Sequence, residues 1–224
     1  MAEEWNLNTV ERSSTIEQVH RELRDAITEG SIPPGAHLRE ISLARALATS
    51  RGTVREAIRQ LVQEGLVESV LHRGSFVRAM SDSDWRDVYV AREAIEVGVA
   101  TRLLENEDEL DLGPLDDAMQ ELRRAAAGQA RPTEEVIAAD LRFHRELVRL
   151  AGSPRLDRAF ETLAVETRML LRHHPEYPWR TYVSDHEKVL EALRRRDPRT
   201  PELVAEHLHL SVDLISGAIA SKTA

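Results

Sequence analysis

Cysteine is absent from the chain, which excludes a disulfide framework and any thiolate metal site. Aromatic residues make up only 4% against 42% hydrophobic residues overall, so a core must be built mostly from Leu, Val, Ala and Ile. That composition suits packed helices better than a β-sandwich, which favours aromatic and β-branched side chains. No apolar run approaches the ~18 residues of a membrane span, and nothing resembles a signal peptide. A soluble, cytoplasmic protein with no membrane contact is therefore expected. The 224 residues leave room for one large or two small domains with a sizeable core.

Excess positive charge is also missing, since the net charge is −9, but the average hides an asymmetry. Residues 1–80 hold ten Arg, no Lys and eleven acidic groups, a balance of −1. Residues 39–78 alone carry seven Arg against four Glu, a local +3, and local charge is what phosphates feel. Three of these arginines, Arg51, Arg55 and Arg59, are spaced by four and stack on one helical face. Val54, Ala57, Ile58, Leu61 and Val62 mark the opposite, inward face. Gly52 and Thr53 in the first turn leave room for a large anionic surface. Arg presents a planar fork that suits phosphate oxygens and the guanine edge in the major groove.

The surroundings of that helix follow a recognisable order. A capping box, Ser14-x-x-Glu17, opens a first helix with Ile16, Val19, Leu23, Ala26 and Ile27 inward, ended by Gly30 and the turn Pro33-Pro34-Gly35. A short second helix over about 40–48 is expected to turn Ile41, Ala44 and Leu47 inward. Ser50 is placed to cap the Arg-striped helix, which runs to about Glu64. Segments 66–71 and 75–77, joined by His72-Arg73-Gly74, predict a β-hairpin. Together these predict a winged helix-turn-helix over residues 1–80, with the start of its third helix in the major groove of double-stranded DNA.

The run LARALATSRGTVREAIRQLVQEGLVESVLHRGSFV resembles the DNA-binding domain of GntR-type bacterial transcription regulators. The resemblance implies operator contacts from Arg51 and Arg55 with Gly52 and Thr53 beside them, and a wing tip at His72, Arg73 and Gly74. Ala48-Thr49 departs from the Gly-Val usual in the family's turn. If that turn needs a left-handed residue, Ala48 is strained.

From residue 83 to 224 the pattern is helical throughout, with helices expected at about 83–105, 113–127, 133–151, 154–173, 179–196 and 200–220. Gly and Pro mark the breaks between them, and His173-His174 before Pro175 fits a helix end. An antiparallel all-α bundle is the expected fold. Its third helix buries Val136, Ile137, Leu141, Leu147 and Val148, and Asp140 and His144 fall inside that stripe. His186 shares a face with Val183, Val189, Leu190 and Leu193, and His207 with Leu203, Val204 and Leu210. Inward polar groups need partners to offset desolvation. A buried His commonly finds one in the backbone. Three imidazoles and a carboxylate on inward faces of three helices also form a ligand set for a divalent metal: zinc, or manganese or nickel.

This half resembles the ligand-binding domain of the FadR-type branch of the same regulators, where Asp140, His144, His186 and His207 match its metal-ligand pattern. His209 stands two residues from His207 as a rival for the last position. Ser153 replaces an Asn usual in the family's turn. Arg92, Arg168 and Arg172 are candidate clamps for a small carboxylate effector, although Arg92 could instead pair with Glu96 one turn on. The resemblance and the symmetry of operators imply a homodimer on a pseudo-palindromic site. A metabolite-responsive regulator is the leading expectation, a pure metal-ion sensor the second. A metal-dependent hydrolase ranks last, because no general base accompanies the ligands as in a His-Glu-x-x-His helix.

Overall fold

The computed structural model describes residues 14–106, 110–129, 133–173 and 179–223. The chain divides into two compact units, residues 1–79 and 80–224. In the first, α1 (Ser14–Thr28), α2 (Glu40–Ala46) and α3 (Arg51–Gln63) are followed by β1 (Val67–Val70) and β2 (Gly74–Val77). The periodic apolar face of α3 explains its central place. Val54, Ala57, Ile58 and Leu61 are all buried, and α1, α2 and β1 pack around them. Val19, Leu23 and Ile27 of α1 and Leu66, Val67 and Val77 of the hairpin complete this core.

The hairpin is antiparallel with Val67 opposite Val77 and Val70 opposite Gly74, so Gly74 belongs to the strand and the turn is Leu71-His72-Arg73. Ile41, expected inward, is 59% exposed, because seven-residue α2 buries only Ala44. The Ser14 side chain of the capping box and residues His174 and Pro175 lie outside what the structure describes.

The second unit is a bundle of α4 (Asp82–Glu105), α5 (Gly113–Ala126), α6 (Glu134–Arg149), α7 (Pro154–His173), α8 (Trp179–Arg194) and α9 (Thr200–Thr223). Helix starts are chemically specified. Ser81 and Asp84 form a reciprocal capping box on α4, and Thr133 accepts from Val136 N–H at 3.3 Å on α6. α4 packs on α6, α7 and α9, α5 on α6 and α8, and α8 on α9. The shared core includes Trp85, Tyr89, Met119, Leu122, Phe143, Leu147, Phe160, Leu193 and Leu208. Among the described residues no helix is long and apolar enough to cross a membrane.

The turn between α2 and α3 does require a left-handed residue. Thr49 N–H donates to Ala44 C=O at 3.0 Å and Ala48 N–H to Arg45 C=O at 3.3 Å, the paired bonds that close a helix with one residue at positive φ. That residue is Ala48, at φ +48°, where a Cβ is disfavoured by roughly 1–2 kcal/mol. Ala48 is exposed and loses no packing on truncation. Ala48→Gly is expected to stabilise the first unit by about 1 kcal/mol, less the extra freedom glycine gives the unfolded chain. Thermal melts of the full chain would show this as a raised midpoint for that unit, and a lowered midpoint would contradict it.

Candidate functional site

The basic face of α3 is built as its sequence predicts but is not bare. Ser50 Oγ accepts from Thr53 N–H at 3.1 Å, fixing the first turn, and the two hydroxyls lie 2.9 Å apart. Arg51, Arg55 and Arg59 all project outward, with 60, 51 and 67% of their side chains exposed. Each meets an acid. Arg55 donates through Nε to Glu40 Oε1 at 2.9 Å and through a terminal nitrogen to Oε2 at 2.7 Å. Arg51 comes within 3.9 Å of the same Oε2, and Arg59 pairs with Glu56 at 3.1 Å. The hydrogen bonds from Arg55 hold the Glu40 carboxyl below the ordinary carboxylate range, against a slight upward push from burial.

Gly52 is not demanded by the chain, since a Cβ there would meet only Ser50 Oγ at 3.7 Å. Gly74 is. Its φ is +105°, and a Cβ would lie 2.6 Å from His37 Nε2. The His37 ring in turn stacks on Phe76 at 4.6 Å, so Gly74 seats the wing while His72, at φ +62°, and Arg73 form its exposed tip.

The second cluster lies in the bundle core. His144 from α6, His186 from α8 and His207 from α9 are each at most 5% exposed. His144 Nε2 is 3.2 Å from both His186 Nε2 and His207 Nε2, and the three ligand atoms all lie within 4.8 Å of one another. Neighbouring donors on one ion with bonds of about 2.1 Å stand roughly 3 Å apart, so the spacing suits a shared metal. Asp140 is not in that closest group. Its carboxylate meets His186 Nε2 at 3.1 Å and stops 4.0 Å from His144 Nε2. His209 is excluded by position: it is 60% exposed and faces Glu93 at 2.9 Å.

Glu96 on α4 does more than pair with Arg92. Its Oε1 accepts from Arg92 Nε at 2.9 Å and its Oε2 lies 2.6 Å from His144 Nδ1. A proton held on Nδ1 by that carboxylate leaves the Nε2 lone pair of His144 facing the other two imidazoles. The donor set therefore fits a divalent ion. The available signal was that Arg92 and Glu96, four apart, share the buried stripe of Trp85, Val88, Tyr89, Val99, Ala100 and Leu103. Arg92 also lies against the rings of Tyr89, at 5.0 Å, and Phe160, at 5.8 Å. Arg168 and Arg172 are elsewhere. Both pair with Glu134, ten residues and roughly 15 Å of helix rise before His144.

Burial is the main influence on His144 and His207, lowering the pKa of the first and, further, that of the second, where neighbouring His186, His144 and Arg92 add to the effect. For Glu96 burial pushes upward but is outweighed by Arg92 and His144, so its carboxyl is held low. Asp140 is likewise pushed up by burial, yet the hydrogen bond with His186 and the surrounding positive charges bring it to about 2.

A winged helix-turn-helix followed by a helical bundle that gathers three histidines defines a two-part DNA-binding regulator. Comparison with known proteins gives the family. Residues 15–77 match the bacterial regulatory proteins of the gntR family and residues 87–210 match the FCD domain, and the chain belongs to this GntR family with an FCD domain. It is 32% identical to a Paenarthrobacter nicotinovorans protein named "Probable D-xylose utilization operon transcriptional repressor", over 88% of this chain and 86% of that one. It is 28% identical to the HTH-type transcriptional repressor RspR of Escherichia coli, over 86% of this chain and 85% of that one. A GntR transcriptional regulator from Rhodococcus sp. RHA1 superimposes with a TM-score of 0.77 at 29% identity, over 92% of this chain and 99% of that one. The chain is thus a DNA-binding transcriptional regulator and not an enzyme.

Two outcomes follow for the histidine cluster. His186→Ala is expected to lower the divalent-metal content of the purified protein, and added metal is expected to raise the melting temperature of the parent but not of the variant. Equal metal content in variant and parent, by elemental analysis, would mark these residues as ordinary core histidines. The second concerns pH. In the unfolded chain a histidine titrates near about 6.5, whereas buried His144 and His207 resist protonation. Below about 6.5 the unfolded state takes up protons that the folded state refuses, so stability falls as pH falls. Asp140 and Glu96, held low, act only nearer pH 4. Chelator-treated protein should therefore melt earlier at pH 5.5 than at pH 7.5, and a midpoint unchanged across that interval would contradict the assignment.

Proposed function

We propose that this regulator reads a pseudo-palindromic operator as a homodimer and that a divalent metal in its FCD domain presents a small carboxylate effector which alters operator affinity. The observation that carries the reading is the convergence of three imidazole Nε2 atoms inside the bundle of a DNA-binding chain. His144, His186 and His207 would hold the ion with Asp140, and zinc suits the nitrogen-oxygen donor set, as manganese or nickel would. Such an ion leaves coordination positions for a carboxylate. A groove lined by Asp185, Lys188, Leu203, Glu206, His207 and Leu210 reaches the edge of the cluster. Arg92 supports an anionic ligand, because it is 1% exposed, has a terminal nitrogen without a hydrogen-bond partner, and its charge bears on Asp140, His144 and His207. Arg168 and Arg172 are both engaged with Glu134 and are not part of this proposal.

At the output end, Arg51, Arg55 and Arg59 with Gly52 and Thr53 would face the major groove, and the tip His72-Arg73 with Gly74 would follow the adjacent backbone. The open space at Gly52 supports this placement, since nothing in the chain itself requires a glycine there. The relatives named as repressors make repression the mode to test first.

The experiment uses a duplex selected by the full chain from a randomised pool and follows its binding by anisotropy. Arg51→Ala should weaken binding at least tenfold with an unchanged melting temperature, and parental affinity would overturn the assignment of α3. With zinc bound, one of a panel of acetate, lactate and citrate should shift operator affinity about tenfold, and the shift should vanish in His144→Ala. D-xylose serves as the comparison sugar. A response to metal alone, indifferent to every carboxylate, would instead make the ion the signal. Sedimentation of the free and duplex-bound protein gives the stoichiometry, with two chains per duplex expected.

A further inference from the structure

The acid that meets the recognition arginines comes from a different helix. Glu40 is the first residue of α2, fifteen positions before Arg55, and its carboxylate takes the side edge of the Arg55 guanidinium in two hydrogen bonds of 2.9 and 2.7 Å. A guanidinium has five N–H groups, and this side-on grip occupies two of them, on Nε and on one terminal nitrogen. The remaining outer edge, one N–H from each terminal nitrogen, still forms a fork, on a side chain that is 51% exposed. That fork has the geometry that pairs with guanine O6 and N7. The same carboxylate is 3.9 Å from the Arg51 guanidinium, so one negative charge sits between two of the three arginines on this face.

Such a carboxylate has two consequences for DNA. It narrows the directions Arg55 can take, so that the side chain is not free to swing onto whichever phosphate is near. It also places a negative charge, only 29% exposed, on the surface that approaches the phosphate backbone, which penalises docking that offers Arg55 nothing but phosphate. Held below its ordinary carboxylate range by Arg55, Glu40 is ionised at neutral pH. Arg59 is different. Its partner Glu56 lies on α3 itself, three residues away, and makes a single contact at 3.1 Å on an exposed helix surface.

We infer that Glu40 is a specificity-determining residue of the DNA-binding unit: it holds Arg55 edge-on for base readout and suppresses binding to arbitrary sequence. The inference rests on α3 being the recognition helix. Glu40 touches no DNA in this role. It is a positioning residue that acts through Arg55, and through the charge it sets against phosphate.

The test compares the parent, Glu40→Gln, Arg55→Ala and the double variant in the full chain. Each is titrated at several salt concentrations against the duplex selected by the parent and against a scrambled duplex of equal length. Glu40→Gln is expected to tighten scrambled binding several-fold and to steepen its salt dependence by about one phosphate contact, because Arg55 becomes free to pair with the backbone. The ratio of selected to scrambled affinity should fall about tenfold. In the Arg55→Ala background the same Glu40 change should leave that ratio unaltered. Reselection with Glu40→Gln should relax one base position per half-site.

Three results for Glu40→Gln would overturn the inference, and one for Arg55→Ala. One is a Glu40→Gln ratio equal to the parent's. Another is an equal effect of Glu40→Gln with and without Arg55. The third is weakening on both duplexes together with a lowered melting temperature, which is what a merely structural role at the start of α2 predicts. Parental affinity of Arg55→Ala for the selected duplex would overturn it as well, by removing the recognition reading beneath it, whereas loss in Arg55→Ala without any change in Glu40→Gln would overturn the Glu40 role alone.

Discussion

The carboxylate of Glu96 is fully buried and bonds on both sides, to Arg92 at 2.9 Å and to His144 Nδ1 at 2.6 Å. A charge in an apolar core is tolerated only when paired and hydrogen-bonded, and truncating one member of such a pair costs about 3–5 kcal/mol by stranding the other. Glu96 therefore constrains everything around it. Arg92 must stay opposite it, wedged against Tyr89 and Phe160, and the His144 ring must keep its Nδ1 toward α4. With that ring fixed, Nε2 is fixed too, and the approach of His186 and His207 to 3.2 Å defines a point where three helices can share one ligand. The pair earns the fold little net stability. Its effect is to specify one arrangement of α4 and α6 around the histidines.

A second carboxylate does related work under opposite solvent conditions. The Glu40–Arg55 pair is half exposed, and ion pairs of that kind contribute only about 0–1 kcal/mol. Its value to the fold is therefore small and its value as geometry larger: two parallel hydrogen bonds fix the plane of a guanidinium that would otherwise rotate freely. Burial makes the Glu96 contact costly to break, whereas exposure leaves the guanidinium that Glu40 holds within reach of a base. One suits a permanent scaffold and the other a recognition surface.

Much of this was legible before any coordinates. The six helices of the second unit fall within three residues of their expected bounds, because Pro and Gly punctuate long apolar stripes that only helical spacing explains. The histidines were legible for the same reason: His144, His186 and His207 interrupt inward faces, and His209 does not. The residues whose roles the sequence does not display share a physical cause. Ile41 looked like core, but a seven-residue helix has too short a face to bury it. Glu40 and Arg55 are fifteen residues apart on different helices, and no periodicity links them. Arg168 and Arg172 are candidate clamps for a carboxylate in the sequence, yet Glu134 at the start of α6 lies within their reach. Glu96 was visible only as a pairing option for Arg92, although two opposite charges four apart inside a buried stripe could have pointed to a third, polar partner.

The arrangement of ligands also bears on how an input could become an output. Binding at one place changes another only by favouring one of two states, so the ligand groups must belong to elements that can differ between those states. Here the candidate groups come from α6, α8 and α9, and through Glu96 the first of them is tied to α4. α4 is also the element that directly follows residue 79, where the DNA-binding unit ends, and its 24 residues run from Asp82 without interruption. A shift of the His144 ring would have to be followed by Glu96 and Arg92, since neither charge can be left alone in the core. Those two residues lie 10 and 14 positions into α4, so the demand falls on the helix that is covalently nearest the DNA-reading half. Glu96 occupies Nε of Arg92 and Nδ1 of His144, so a carboxylate drawn to the unpartnered terminal nitrogen of Arg92 would bring a second anion beside Glu96 without displacing it. The proposed effector and the buried Glu96 would thus share one guanidinium, and a switch would require that sharing to be better satisfied in one of the two states than in the other.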